Sequence, residues 1–239
     1  MKDFNKYSKE HIHFYNKLAP VFLMDLVSKL NPKSLADLGC GDGAILFGLQ
    51  QKGLLEDVDN MVAIDLSQIR LERVKNNIAN VKTICSDVCD VKELKDNQLD
   101  LVICSQVIEH VDDDKKLLNE IYRVLKPGGF LYISSVVKKW YGWYFYRCNG
   151  KWVVDPTHLR EYSSTKEFCD LLRDNRLKIL EQKLSLFKPS IGNAFNRLLI
   201  KFGIVNEKKI RESKISSIFS KLRIPVFGYY IIEVIAKNE

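Results

Sequence analysis

The feature that most constrains this chain is a short apolar run, Ser34-Leu-Ala-Asp-Leu38, that closes on glycines at positions 39, 41 and 43. A second apolar run, Asn60 to Ile64, ends in Asp65, 22 residues beyond Gly43. The spacing predicts a buried strand, a glycine turn, a helix over Ala44 to Gln51 stopped by Gly53, and a second strand. Ser67 then offers an N-cap to a helix with Leu71, Val74 and Ile78 on one side. Strand-like runs follow at Thr83 to Ser86, Leu99 to Ser105 and Phe130 to Val137. Between the last two, Asp112 to Asp114 open a helix that buries Leu117, Leu118, Ile121, Val124 and Leu125 and ends at Lys126-Pro-Gly-Gly129. Alternation of this kind implies βαβ units and a parallel sheet covered by helices on both faces.

After Val137 the rhythm breaks. Trp140 to Tyr146 holds two Trp, three Tyr and one Phe. Ser163 or Ser164 caps a helix to about Asn175, and Leu177 to Leu184 and Gly228 to Ala236 read as two last strands. The chain's 239 residues, 46% of them apolar, suit one domain rather than several and exclude general disorder. We divide 1–239 into a cofactor-binding core at 33–137 and insertions at 138–165 and 186–226 that form a partly helical cap.

Several classes are excluded early. The most apolar stretch, Val226 to Ala236, carries Glu233 and is far short of the roughly 20 residues of a spanning helix. Met1 to Lys6 lacks an apolar run that would serve as a secretory signal. Six cysteines contain no Cys-x-x-Cys pair, and four histidines are scattered, so a reduced, cytoplasmic protein without a structural metal is expected.

The chemistry begins at Asp37-Leu-Gly39-Cys40-Gly41-Asp42-Gly43. Glycines at a strand-to-helix turn let a ligand touch backbone without meeting a Cβ, and a carboxylate at the next strand's end can accept from both hydroxyls of a ribose. The context predicts a nucleoside-containing ligand. Asp37 and Asp42 would oppose the pyrophosphate of a dinucleotide, and no Gly-Lys-Ser/Thr ending marks a P-loop. An ammonium and a sulfonium would be attracted instead, which favours S-adenosylmethionine over NAD.

Asp37 to Gly43, Asp65, Ser86-Asp87-Val88, Leu101 to His110 and Leu125-Lys-Pro-Gly-Gly129 together resemble the ordered motifs of class I S-adenosylmethionine-dependent methyltransferases. The similarity is strongest to the broad group that includes the ubiquinone/menaquinone-biosynthesis type. It covers roughly Ser34 to Ser135 and is loose beyond Val137. The resemblance implies a Rossmann-like α/β fold with a seven-stranded, mostly parallel sheet and an antiparallel last strand. It further implies that Asp37, Gly39, Cys40, Gly41 and Gly43 line the methionine part of S-adenosyl-L-methionine, released as S-adenosyl-L-homocysteine. Asp65 would take the ribose hydroxyls and Leu66 would pack beside the adenine. Asp87 would accept from the adenine amino group, with Val88 against the ring. Ser105 and Gln106 would border the sulfonium and the substrate entrance.

Methyl transfer asks mainly for alignment and desolvation, with a general base where the acceptor is a hydroxyl. His110, following Glu109 just past the fourth strand, and His158, in Asp155-Pro-Thr-His-Leu-Arg160-Glu-Tyr162, are the candidate bases. Arg160 and Tyr162 are candidate substrate contacts, Tyr162 also a catalytic one, and Trp143 of the aromatic cluster a candidate acceptor wall. Each of these residues also has a plain structural reading, as a loop anchor or as packing. No Pro precedes a Cys, which argues against cytosine-C5 methylation, and Cys104-Ser-Gln-Val107 is not the pattern of methyltransferases acting on base amino groups.

The formal net charge of +7 is local, because residues 188–223 carry nine basic and two acidic side chains. Apolar residues at 195, 198, 199 and 202 repeat there at helical spacing. Such a helix can lie on the domain with its lysines in water, on an anionic inner-membrane face, or on RNA. The expected function is methyl transfer to an oxygen or carbon of a small or lipid-linked acceptor. The alternatives are a noncatalytic S-adenosylmethionine-binding protein, an RNA methyltransferase using the basic insertion, and, more distantly, an NAD-dependent oxidoreductase.

Overall fold

A computed structural model describes residues 19–144, 146–148, 150–155, 157–189 and 223–239. In chain order the elements are α1 (Val21–Leu30), β1 (Ser34–Leu38), α2 (Ala44–Gln50), β2 (Asn60–Asp65), α3 (Gln68–Asn77), β3 (Val81–Cys85) and β4 (Leu99–Ser105). They continue with α4 (Asp114–Val124), β5 (Leu125–Lys138), β6 (Tyr146–Cys148), β7 (Lys151–Val153), α5 (Thr165–Asp174), β8 (Leu177–Leu186) and β9 (Tyr229–Asn238).

Seven strands form one sheet in the order β3-β2-β1-β4-β5-β9-β8. β3, β2, β1, β4 and β5 are parallel, and β9 runs antiparallel to both β5 and β8. The expected sheet and its antiparallel last strand are therefore present. Each central strand is buried on both faces and feeds two cores. Ala36, Leu38, Val62, Ile64, Val102 and Cys104 face α4 and α5 through Leu117, Leu118, Ile121, Phe168 and Leu172. Leu35, Met61, Ala63, Leu101 and Ile103 face α1, α2 and α3 through Leu23, Val27, Leu46, Leu49 and Val74. Each fully buried Leu or Ile contributes about 1.5–3 kcal/mol, which is why these runs tolerate no solvent face.

Local signals settle most boundaries. Asp113 caps α4 by accepting from the Lys116 amide at 3.0 Å, and Ser164 caps α5 through the Glu167 amide. The Glu167 carboxylate accepts from the Ser163 amide at 2.7 Å, one residue before the cap. Ser67 does sit at the N-cap of α3, yet its hydroxyl makes no capping bond. Lys126 to Gly129, read from sequence as a helix stop alone, already belongs to β5, since Leu125 pairs with Leu99 across a register shift.

The first insertion holds a two-stranded hairpin, β6 with β7, rather than a helix among its described residues. The second insertion's core, 190–222, lies outside the described residues, and the helix, membrane and RNA readings of 188–223 fall there. Among the described residues no helix is long and apolar enough to cross a membrane.

Candidate functional site

In an open parallel sheet the binding crevice lies at the carboxyl ends of the strands, where the strand order reverses. Here the reversal falls between β1 and β4, which places residues 39–43 opposite residues 105–110.

On the β1 side the three loop glycines divide their tasks. All three have positive φ, from 56° to 80°. A Cβ on Gly39 would lie 2.5 Å from Val107 Cγ2, and one on Gly43 would lie 2.7 Å from Ile78 Cδ1, so both positions are packed. A Cβ on Gly41 would meet only Arg70 Nη1, at 3.5 Å. Gly41 is therefore the position that leaves room for a ligand at the backbone. Asp65 is tied by both oxygens, accepting from the Gly41 amide at 3.0 Å and the Ser67 amide at 2.8 Å. These bonds aim the carboxylate across the loop, where a ribose diol would meet it. Beyond it, Leu66 is 49% exposed, Asp87 is exposed, and Val88 is buried.

The charge of the loop differs from the sequence-based expectation. Asp42 is buried and paired with Arg73 at 2.8 Å, so its charge is offset. Asp37 is buried, its Oδ2 has no hydrogen-bond partner, and burial, with the nearby Asp65 charge, pushes its pKa up to about 8. Arg70 Nη1 stands 4.0 Å from Asp65 Oδ2. The sequence could not reveal these arginines as partners, because α3 brings them to the loop only in the folded chain. The argument from loop charge against a pyrophosphate is correspondingly weaker. Among the described residues of this loop, Asp37 Oδ2 is the carboxylate oxygen left without a hydrogen-bond partner.

On the β4 side the backbone turns sharply. Gln106 has φ 57°, an uncommon left-handed conformation for a residue with a side chain. Its amide donates to the Ser134 carbonyl at 3.0 Å, while Ser105 Oγ and Ser134 Oγ lie 2.8 Å apart. Ser105 and Gln106 are both partly exposed at the strand end, where the resemblance puts the methyl group. Past this turn the two histidines meet, although 48 residues separate them in the chain. Their rings are 4.7 Å apart, edge to face. Glu109, fully buried, accepts from Ser135 Oγ at 2.9 Å with one oxygen and leaves the other without a hydrogen-bond partner. Burial raises its pKa to about 7, even though the neighbouring His158 pulls it down.

His158 is 3% exposed, and its Nδ1 lies 3.1 Å from Glu161 Oε1. Burial opposes its charge, but Glu161 and Glu109 outweigh that and raise its pKa. His110 is only half-buried, with Nδ1 2.9 Å from Thr157 Oγ1. Glu109, His110 and His158 bring one nitrogen or oxygen each within 4.8 Å, a donor set that would also fit a small divalent cation. Sequence spacing gave no sign of that convergence, and no metal site was expected.

The remaining candidates fall elsewhere. Tyr162 is 4% exposed, packs edge-on against Phe168 and points its hydroxyl at Asp114, so it is seated in the core. The Arg160 guanidinium is used up by the carbonyls of Ile108, Val111 and Asp112 at 2.7–3.1 Å. It fastens the 155–162 segment to the turn after β4, as do the Leu159 and Arg160 amides on the Glu109 carbonyl. Trp143 is 54% exposed and leans on Trp152 of β7, with ring centroids 5.6 Å apart. Ser134, Ser135, Asp155, Thr157, Glu161, Arg70 and Arg73 join the site without having been singled out by the sequence. For Glu161 and Asp155 the only available signal was their flanking of His158.

Residues 36–133 match the protein family described as "Methyltransferase domain". A ubiquinone biosynthesis O-methyltransferase of Neisseria meningitidis is 29% identical over 111 residues, 46% of this chain and 46% of that protein. The matched region thus spans about half the length of that relative. One from Rickettsia canadensis is 28% identical over 208 residues, 76% of this chain and 85% of that protein. Among solved structures, a SAM-dependent methyltransferase from Methanosarcina mazei superposes with a TM-score of 0.60 at 15% identity, covering 92% of this chain and 99% of that one. The cyclase SpnF does so with a TM-score of 0.59 at 22% identity, covering 91% and 80%. These two likenesses establish the fold.

Proposed function

Residues 36–133 are a class I S-adenosylmethionine-dependent methyltransferase domain, and from that premise we propose that the protein methylates a ring hydroxyl of a small, quinone-type acceptor with His110 as general base. The observation that carries the proposal is a shared neighbour. Val107 packs against Gly39 of the cofactor loop, and the Val107 carbonyl accepts the His110 amide at 2.8 Å. Val107 therefore joins the loop expected at the methionine end of the cofactor to the turn that carries His110.

Asp65, Leu66, Asp87 and Val88 would hold the adenosine. Asp37, Gly39, Cys40, Gly41 and Gly43 would line the methionine moiety, with Ser105 and Gln106 beside the methyl group. When bound, S-adenosylmethionine supplies a methyl group already activated by its sulfonium. The task left to the protein is to orient the acceptor oxygen in line and to receive its proton, at His110 Nε2 in this reading. His158, enclosed and bound to Glu161, serves better as the group behind His110 than as the one that meets the acceptor. Oxygen is favoured over carbon because a base is present and because the relatives are named O-methyltransferases. The core at 33–137 would carry the cofactor, and the described part of the insertion at 138–165 would shape the acceptor side. A lipid tail on the acceptor belongs to the same proposal, with the aromatic side chains of 140–146 as its contact.

The test is mass-spectrometric detection of methyl transfer from S-adenosylmethionine to a series of catechols and hydroxyquinols with and without a prenyl tail. Transfer of one methyl group to a ring hydroxyl, lost in His110→Gln, supports the reading. Tight S-adenosylhomocysteine binding with no transfer to any acceptor of the series would favour the noncatalytic reading. That alternative keeps weight because SpnF, a cyclase, has the same fold.

A further inference from the structure

The hydroxyl of Thr157 has one proton and two possible partners. It lies 2.5 Å from Asp155 Oδ1 and 2.9 Å from His110 Nδ1, and the Thr157 amide also donates to Asp155 Oδ1 at 2.8 Å. An ionised carboxylate only accepts, so the Thr157 proton goes to Asp155. Thr157 Oγ1 can then meet His110 Nδ1 only as an acceptor, and Nδ1 must carry the ring proton. Asp155 stays ionised: burial alone would raise its pKa, but the Thr157 bonds and the two histidines bring it below the usual value. The neighbouring imidazole repeats the pattern, since Glu161 accepts from the Val154 amide at 2.9 Å and lies 3.1 Å from His158 Nδ1.

We propose that Thr157, oriented by Asp155, is a positioning residue that holds neutral His110 in its Nδ1–H tautomer, so that Nε2 carries the lone pair. The inference deepens the reading of His110 as general base and depends on it for its effect on turnover, but the tautomer can be tested without any acceptor. A hydrogen bond to one ring nitrogen fixes what the other can do, whether it takes a proton or binds a ligand. Neutral histidine in water favours the opposite tautomer, Nε2–H, in which the lone pair would sit on Nδ1 and face Thr157. Without the relay most of the ring population would hold a proton where the base needs none.

The experiment is long-range proton–nitrogen NMR of the ring nitrogens in the full chain, followed over pH until the His110 signals no longer change with rising pH, for wild type, Thr157→Val and Thr157→Ser. The wild type is expected to show a protonated Nδ1 and an unprotonated Nε2 on His110. Thr157→Val, which keeps the shape and removes the acceptor, should move the population toward Nε2–H. It should also lower kcat about 10- to 100-fold, the usual range for an outer partner of a functional histidine, with cofactor affinity unchanged. Thr157→Ser should restore both the spectrum and kcat. An Nε2–H His110 in the wild type, or an unchanged spectrum in Thr157→Val, overturns the proposal; should the valine variant not fold, the wild-type spectrum decides alone. If the spectra behave as expected while His110→Gln retains full turnover, the relay stands and the general-base reading falls.

Discussion

The side proposed for the cofactor and the side proposed for the acceptor are built on opposite plans. The cofactor side is local in sequence: Gly39 to Gly43, Asp65 and Asp87 follow one another at the ends of adjacent parallel strands, and backbone amides at 41 and 67 aim the key carboxylate. The acceptor side is assembled across a distance. Glu109 and His110 come from the turn after β4, Ser135 from β5, and Asp155, Thr157, His158 and Glu161 from a segment pinned over that turn by Arg160. The first plan needs only a strand, a glycine turn and an acid at the right interval. The second needs the folded chain to bring buried charges together, and buried charges are tolerated only when partnered.

Mutations should separate the two sides cleanly. The largest effect is expected from His110→Gln, which should lower kcat about 10²- to 10⁴-fold, the usual contribution of general base catalysis, and leave S-adenosylhomocysteine affinity unchanged by calorimetry. A parallel loss of affinity would mean that the two sides are not independent. Asp65→Ala comes next. Loss of its charge-assisted bonds, about 1.5–3 kcal/mol, should weaken S-adenosylhomocysteine binding about 10- to 100-fold. Unchanged affinity there would remove the ribose assignment.

The third effect is a pH dependence. Below pH 8 Asp37 is largely protonated in the ligand-free protein, because burial and the Asp65 charge raise its pKa to about 8. A cationic ligand beside it lowers that value, so binding should expel a proton. Affinity for S-adenosylmethionine should then climb with pH by up to about tenfold per unit and flatten above about pH 8. Calorimetry in buffers of different ionisation heat reads the released proton directly, and Asp37→Asn should abolish it. The same shift acts on stability with the opposite sense. With a folded pKa of about 8 against an ordinary 3.8, the ligand-free protein gains stability from this group at acid pH. It loses that contribution as pH rises from about 4 through 8.

The smallest effect belongs to Trp143→Ala. With 54% of its surface exposed, it should change folding stability by no more than about 1 kcal/mol. A clear rise in the acceptor's KM with unchanged cofactor affinity would assign Trp143 to the acceptor side. No change in KM would leave it a surface aromatic beside Trp140 and Phe227, which are 94% and 77% exposed.

The contrast also explains what could be read early. The parallel sheet, its helices and the ordered motifs follow from short-range patterns: apolar runs, glycine turns, capping residues and the interval from Gly43 to Asp65. Each of these is a property of neighbouring residues, and the described structure keeps nearly all of them. The first insertion read less clearly, because aromatic residues in a short segment fit a lid or plain packing equally well, and the β6–β7 hairpin that follows them is set by pairing across the turn.

Charge, too, is set by the folded chain. Asp42 counted as a free negative charge until α3 delivered Arg73 to it, and Asp37 until its burial was known. Arg160 and Tyr162 looked like substrate contacts because they are polar groups near a histidine. Carbonyls of the turn after β4 and the ring of Phe168 claim them instead.

By itself, then, the sequence determined the fold class and the cofactor, since those depend on spacing along the chain. Only the tertiary structure showed that His158 is enclosed while His110 is half-buried, that Thr157 Oγ1 lies against His110 Nδ1, and which acids are buried or paired. Those properties depend on burial and on partners some 30 to 50 residues away, and no local pattern encodes either.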